Sequence, residues 1–400
     1  MRRLAYSLVP VLLLMLALAG CGGAATTTTT GLAVEPSTTA PTMSPAATIS
    51  PATTAGLTDA GGAMLKNNLE RTGVYASGGP SQLNELAWKI KTGAAVYSSP
   101  AISDGVVYFG SQDGFLYAAD TKTGQEKLKF KTGGPVASSP TISDGVVYFG
   151  SDDSYLYAVD IKSGQEKWKF KTGDRVFSSP AVWGVVVYFG SVDKCLYAVD
   201  IKSGQEKWKF KTGARVAEGP AISSGVAYFG SDDSHLYAVD AVTGQEKWKF
   251  KTGGMVFSSS AVSDGVVYFG SDDSYLYAVD IKTGQEKWKF KAGDVILSSP
   301  AISDGIVYFG SDDSYLYAVD IKTGQEKWKF KTGEWVTSSP AISGGMVYVG
   351  SQDSYLYAVD IKTGQEKWKF KTDDIILPSP AISDGVVYFG SSDGNLYAVK

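Results

Sequence analysis

The chain is expected to be all-β, an eight-bladed β-propeller of four-stranded antiparallel blades, and three features of its 400 residues predict this. A 40-residue unit repeats with little variation from about residue 85 to the C-terminus. Each unit divides into four short strand-like segments separated by turn signals. The last unit lacks its fourth segment, while a fourth segment with no unit before it stands ahead of the first. A single four-stranded sheet cannot cover its own apolar faces, and radial repetition gives every sheet two neighbours that do.

The N-terminus reads as an export device. Met1-Arg2-Arg3 followed by the apolar run Leu8 to Ala19 predicts a signal peptide over residues 1–20, the run being short for a membrane span. Leu18-Ala19-Gly20-Cys21 resembles the lipobox of bacterial lipoproteins, which implies cleavage before Cys21 and lipidation there. The body would then stand outside the cytoplasm, held to a bacterial cell membrane by lipid, the outer membrane in a Gram-negative cell. Residues 21–62 are rich in Thr, Pro, Ala and Ser with almost no charge or large apolar side chain, so burial cannot offset their ordering entropy. They read as a disordered tether with a mean reach of roughly 35 Å. Residues 63–84 form a lead-in, and 85–400 the propeller.

Val136 to Gly173 serves as the type unit. Asp144-Gly145 predicts a tight hairpin between the first two strands, because that turn needs positive φ. The second and third segments, Val146 to Phe149 and Tyr155 to Val159, are continuously apolar, as strands covered on both faces should be. Lys167-Trp168-Lys169-Phe170-Lys171 alternates and reads as the outer edge strand, whose lysines discourage pairing with other chains. The glycine before this strand recurs from Gly124 to Gly364, which counts seven whole blades. Ala381 to Lys400 supplies three strands of the eighth, and Leu86 to Lys91 supplies its fourth, closing the ring. A monomeric propeller is expected.

A 40-residue period also suits WD40 proteins, but their Gly-His and Trp-Asp signatures are absent. The recurring Ala158-Val159-Asp160-Ile161-Lys162-Ser163-Gly164-Gln165-Glu166-Lys167-Trp168 resembles the tryptophan-docking motif of the pyrroloquinoline quinone (PQQ) repeat family. Its tryptophans are Trp168, Trp208, Trp248, Trp288, Trp328 and Trp368, with Trp88 on the closing strand and Leu128 in place of one. Asn67 to Tyr75 is similar, more loosely, to the segment before the first blade in that family. The family contains quinoprotein dehydrogenases, and also non-enzymatic lipoproteins such as the propeller subunit of the outer-membrane barrel-assembly machinery.

Little in the repeat suggests chemistry. The dehydrogenases carry adjacent cysteines, calcium ligands and a catalytic aspartate in blade insertions, whereas here Cys195 has no neighbouring cysteine and no blade is extended. No catalytic residue, metal site or cofactor is therefore expected, with PQQ and calcium belonging only to a dehydrogenase alternative. His235 and Cys195 occupy one repeat slot, otherwise mostly tyrosine, and read as packing residues. The aspartates recurring from Asp113 to Asp393 read as turn caps rather than as a metal ring. A net charge of −4 argues against nucleic acid as a partner.

Because the repeats are so alike, equivalent slots can be compared directly. They differ most between each outer strand and the next inner strand, where Tyr97, Arg175, Phe177, Arg215, Glu218, Met255, Phe257 and Trp335 appear. Several of these types are enriched at interface cores, so these loops are the expected binding surface for an envelope protein or peptide, although tolerant loops also drift. Glycan binding, with Trp335 and Tyr97 as stacking platforms, is a further alternative. Glu218 stands where six of the other seven repeats have serine and would put one carboxylate at the channel mouth. Trp183-Gly184 breaks the Ser-Asp-Gly turn and predicts a locally different hairpin.

Overall fold

The computed structural model describes residues 64–83 and 85–400, so the signal peptide, Cys21 and the tether lie outside the described residues. The described strands form eight four-stranded antiparallel sheets. Blade 1 runs from the axis outward as Ala101–Ser103, Val106–Ser111, Phe115–Asp120 and Glu126–Lys131. Blades 2 to 7 repeat this order every 40 residues. Blade 8 joins Ala381–Ser383, Val386–Gly390 and Asn395–Val399 to Leu86–Lys91, with Trp88 opposite Ala398 and Lys91 opposite Asn395. Glu85 and Lys400 extend this closure with reciprocal backbone hydrogen bonds of 3.0 and 3.1 Å. The sequence-predicted ring and its clasp are thus both present.

Each hairpin follows from its turn residues. Asp144 and Gly145 both take positive φ (49° and 74°), a type I′ turn whose twist matches the flanking strands. In blade 3 only Gly184 does so (φ 61°), which makes a type II′ turn. The hairpin differs as expected, yet Trp183 still pairs with Val186, so the register is kept.

The core lies between blades. Leu116 and Ala118 of blade 1 pack with Val147, Phe149, Tyr157 and Val159 of blade 2, all buried. At the rim the docking tryptophans bind each blade to the next. The Trp168 Nε1–H donates to the Ile201 carbonyl at 2.9 Å, and its ring lies so close to Gly204 (φ 69°) that a Cβ there would overlap the indole. The turn beneath is held by Asp200, whose Oδ1 accepts from the Lys202 and Ser203 amides and the Ser203 hydroxyl. Trp368 of blade 7 faces blade 8, whose third strand is not joined by such a turn to its outer strand Leu86–Lys91, and its Nε1–H instead finds the Pro80 carbonyl at 3.0 Å.

The lead-in does more than precede the first blade. Residues 69–73 curl inside the central channel with their carbonyls turned outward onto the inner strands. Leu69, Glu70, Thr72 and Gly73 accept in turn from the amides of Ile222, Val262, Ile302 and Ile342, one on each of blades 4 to 7. Positive φ at Lys66, Asn67, Arg71 and Gly73 gives this segment its tight curl. The result is a plug within the ring.

Candidate functional site

Two sets of loops share one face of the disc. The connections from outer to next inner strand lie beside the turns between second and third strands, as the bonds from the Asp152 amide to the Pro135 carbonyl and from the Asp272 amide to the Met255 carbonyl show (both 2.9 Å). This loop face carries the variable side chains named above. The opposite, hairpin face carries the Asp-Gly turns.

The candidate residues occupy this face in different states. Met255 is exposed, and Tyr97, Arg175, Phe177, Phe257 and Trp335 are partly buried. The Arg175 guanidinium lies 5.2 Å from the Phe177 ring, and that of Arg215 lies 5.5 Å from Phe257 on the next blade. Arg215 is also paired through Nε with Asp232. The structure therefore gathers Arg215, Asp232 and Phe257 into one cluster, while Met255 remains available to a partner.

Glu218 sits inside the channel rather than standing free at its mouth. Its Oε2 accepts from the Ser259 hydroxyl at 3.0 Å. Burial pushes the carboxyl up to about 7, with the Ser259 bond and the nearby Arg71 pulling the other way. Arg71 is fully buried, donating from Nε to the Pro220 carbonyl (2.8 Å) and from Nη2 to the Ser179 carbonyl (3.0 Å). Lys66, also buried, donates to the Ser299 and Pro300 carbonyls, and its pKa is lowered by burial first and by Arg71 second.

Serines hydrogen-bonded between blades surround this plug. The Ser99 amide donates to Ser139 Oγ, the Ser139 amide to Ser179 Oγ, and the Ser379 amide to Ser99 Oγ. At the corresponding slot of blade 4 stands Gly219, where a Cβ would overlap both the Ser179 carbonyl oxygen and Arg71 Nη2. Glu218-Gly219 is thus the socket for Arg71. The Ser-to-Glu and Ser-to-Gly changes were visible in the repeat alignment, but only the fold shows what they receive.

The other titratable groups are spent locally. Asp113 Oδ2 accepts from the Gly93 amide (2.8 Å) and the Tyr117 hydroxyl (2.6 Å), and its equivalents do the same around the ring. His235 Nδ1 lies 3.0 Å from the Asp233 carbonyl oxygen, and Cys195 is buried with its thiol pKa raised by burial. No three His, Cys, Asp or Glu side chains among the described residues converge as ligands for a metal ion. Among the described residues no helix is long and apolar enough to cross a membrane.

Comparison with known proteins places this geometry in context. A family model described as outer membrane protein assembly factor BamB matches residues 81–214, 192–299 and 291–400. A search of curated proteins finds no match. Among solved structures the chain is similar to BamB from Moraxella catarrhalis, with a TM-score of 0.70 and 18% identity over 79% of this chain and 99% of that one. It is similar to a quinohemoprotein alcohol dehydrogenase from Comamonas testosteroni, with a TM-score of 0.74 and 15% identity over 84% and 80% of the two chains. A europium-containing methanol dehydrogenase gives 0.72 and 15% over 84% and 97%. At these identities the structural likeness is one of fold.

Proposed function

The chain belongs to the BamB-type family of PQQ-like β-propellers, and from that membership we propose that it is a non-catalytic scaffold of the cell envelope whose loop face binds protein or peptide. The observation that carries this reading is the concentration of departures from the repeat on one face, in side chains suited to interface cores. A ring assembled from identical units needs no such variety for its own stability. The anchor at Cys21 would tether the propeller to the membrane.

The family also suggests a quinoprotein, and the residues present do not fit one. A quinone held with calcium needs converging oxygen ligands, which the described residues do not assemble. The recurring aspartates that could have served are bonded to an amide of the loop leaving the preceding blade and to a tyrosine of their own blade. The plug also brings the buried side chains of Lys66 and Arg71 into the channel.

The test is photo-crosslinking in native membranes from reactive groups placed at Met255 and Trp335. A defined envelope protein should be captured from both positions, and Met255→Asp with Trp335→Asp should lose it. Equal capture from a group at Asp104 on the hairpin face would reject the assignment. A rise in melting temperature with PQQ and calcium, accompanied by dye-linked alcohol oxidation, would favour the enzymatic reading instead.

A further inference from the structure

The plug bonds to half of the ring, and the other half carries the same donors. Leu69 and Glu70, two successive residues, accept from the inner-strand amides of Ile222 and Val262 on blades 4 and 5. Half a turn round the ring stand blades 8 and 1, whose inner strands keep the same register. Ile382 opposes Val387 and Ile102 opposes Val107, as Ile222 opposes Ala227. The amides of Ile382 and Ile102 therefore point toward the axis as those of Ile222 and Val262 do, and no described residue accepts from them. Each inner strand is a sheet edge, and a donor facing away from its own ladder is open to another chain that lies along it.

There is room for such a chain. A cavity of about 210 Å³ lies between these strands and the lead-in, lined by Ile102 and Ile382 with Met64, Asn67, Ala76 and Ser77. Asn67 and Ala76 are exposed, so the cavity opens to solvent. Ile102 is itself partly exposed, whereas Ile222, Val262, Ile302 and Ile342, which the plug engages, are buried. Past Gly73 the lead-in leaves the track: the Tyr75 amide donates to the Ile342 carbonyl, and Pro80 lies against Trp368 of blade 7.

These donors define what fits. Two amides on neighbouring blades, whose counterparts half a turn away hold Leu69 and Glu70, suit two successive main-chain carbonyls of an extended peptide. The half-turn counterpart of Gly219 is Ser379, so the site does not admit a side chain like that of Arg71. The buried charges of Lys66 and Arg71 further disfavour a basic peptide. Small, uncharged residues remain.

We propose that the channel holds a second docking site, at blades 8 and 1, for an extended, uncharged, small-residue peptide of a partner whose successive carbonyls accept from the Ile382 and Ile102 amides. The site is separate from the loop face and does not depend on that reading.

Isotope-labelled isoleucine reports each amide in the full chain, with Ile222, Ile302 and Ile342 as internal references because the plug already occupies them. In the free chain, the Ile382 and Ile102 amides should exchange with solvent faster than those three. An end-blocked tetra-alanine peptide at millimolar concentration should shift the Ile382 and Ile102 resonances and leave the references in place, and end-blocked tetra-arginine should shift neither set. Ala76→Trp, which fills the cavity from the lead-in, should keep the parent's melting temperature and weaken tetra-alanine binding by about tenfold or more, the order expected for two lost backbone hydrogen bonds. Met255→Asp with Trp335→Asp, on the loop face, should leave that binding unchanged. No shift with tetra-alanine, or undiminished binding by Ala76→Trp, would overturn the proposal. Slow exchange at Ile382 and Ile102 in the free chain would mean that the chain covers these amides itself, and would overturn it too.

Discussion

Replacing Gly219 with serine should destabilise the protein, although serine is what every other blade carries at that slot. A Cβ at this position overlaps the Ser179 carbonyl oxygen and Arg71 Nη2, so the guanidinium must be displaced. Overpacking of this kind costs about 1–3 kcal/mol. Displacement also threatens the bonds from Arg71 to the Ser179 and Pro220 carbonyls, each contributing about 1.5–3 kcal/mol as hydrogen bonds to a charged group. Losing one of them brings the total to about 3–5 kcal/mol. Urea denaturation followed by tryptophan fluorescence measures it. The diagnostic comparison is the double variant with Arg71→Ala, which removes the overlap with the guanidinium and leaves only that with the Ser179 carbonyl oxygen. The two substitutions should therefore couple by about 2 kcal/mol or more, the double variant being more stable than their sum. Gly219→Ser as stable as the parent, or strict additivity, would refute the socket.

Stability should fall between pH 5 and pH 8, because buried Glu218 and Asp312 hold protons up to about 7 in the folded chain and release them near 4 when unfolded. Asp312→Asn should flatten that slope by about 1–3 kcal/mol in denaturation at the two pH values. Leu128→Trp should stabilise by about 0.5–2 kcal/mol, since the indole can dock on Gly164 and donate to the Ile161 carbonyl as its counterparts do one blade on; calorimetry reads the shift. Deleting Leu86 to Lys91 strips the outer strand from blade 8 and should abolish the single cooperative melting transition, which an unchanged thermogram would contradict. Trp368→Phe should cost about 1 kcal/mol through the bond to Pro80, detectable as a lower urea midpoint.

Blades, clasp and docking tryptophans were legible because each is written eight or nearly eight times, in alternations and turn residues whose geometry is local. Leu86 to Lys91 could be assigned to blade 8 simply by matching it to Lys167 to Lys171. The plug was not legible, for a physical reason. Leu69 to Gly73 bind through main-chain carbonyls, which any residue supplies, and the curl relies on positive φ at Lys66, Asn67 and Arg71, where no glycine announces it. Glu218 did stand out, but a changed residue in a loop does not say which distant segment it faces, and Gly219 beside it passed unnoticed.

The plug also settles a question of identity among the blades. Eight nearly interchangeable sheets around an axis have no obvious first member, and most of their mutual contacts repeat from one to the next. By hydrogen-bonding to blades 4 to 7 and seating Arg71 at the one Glu218-Gly219 pair in the ring, the lead-in fixes a zero on this dial. Every feature of the rim then acquires a bearing.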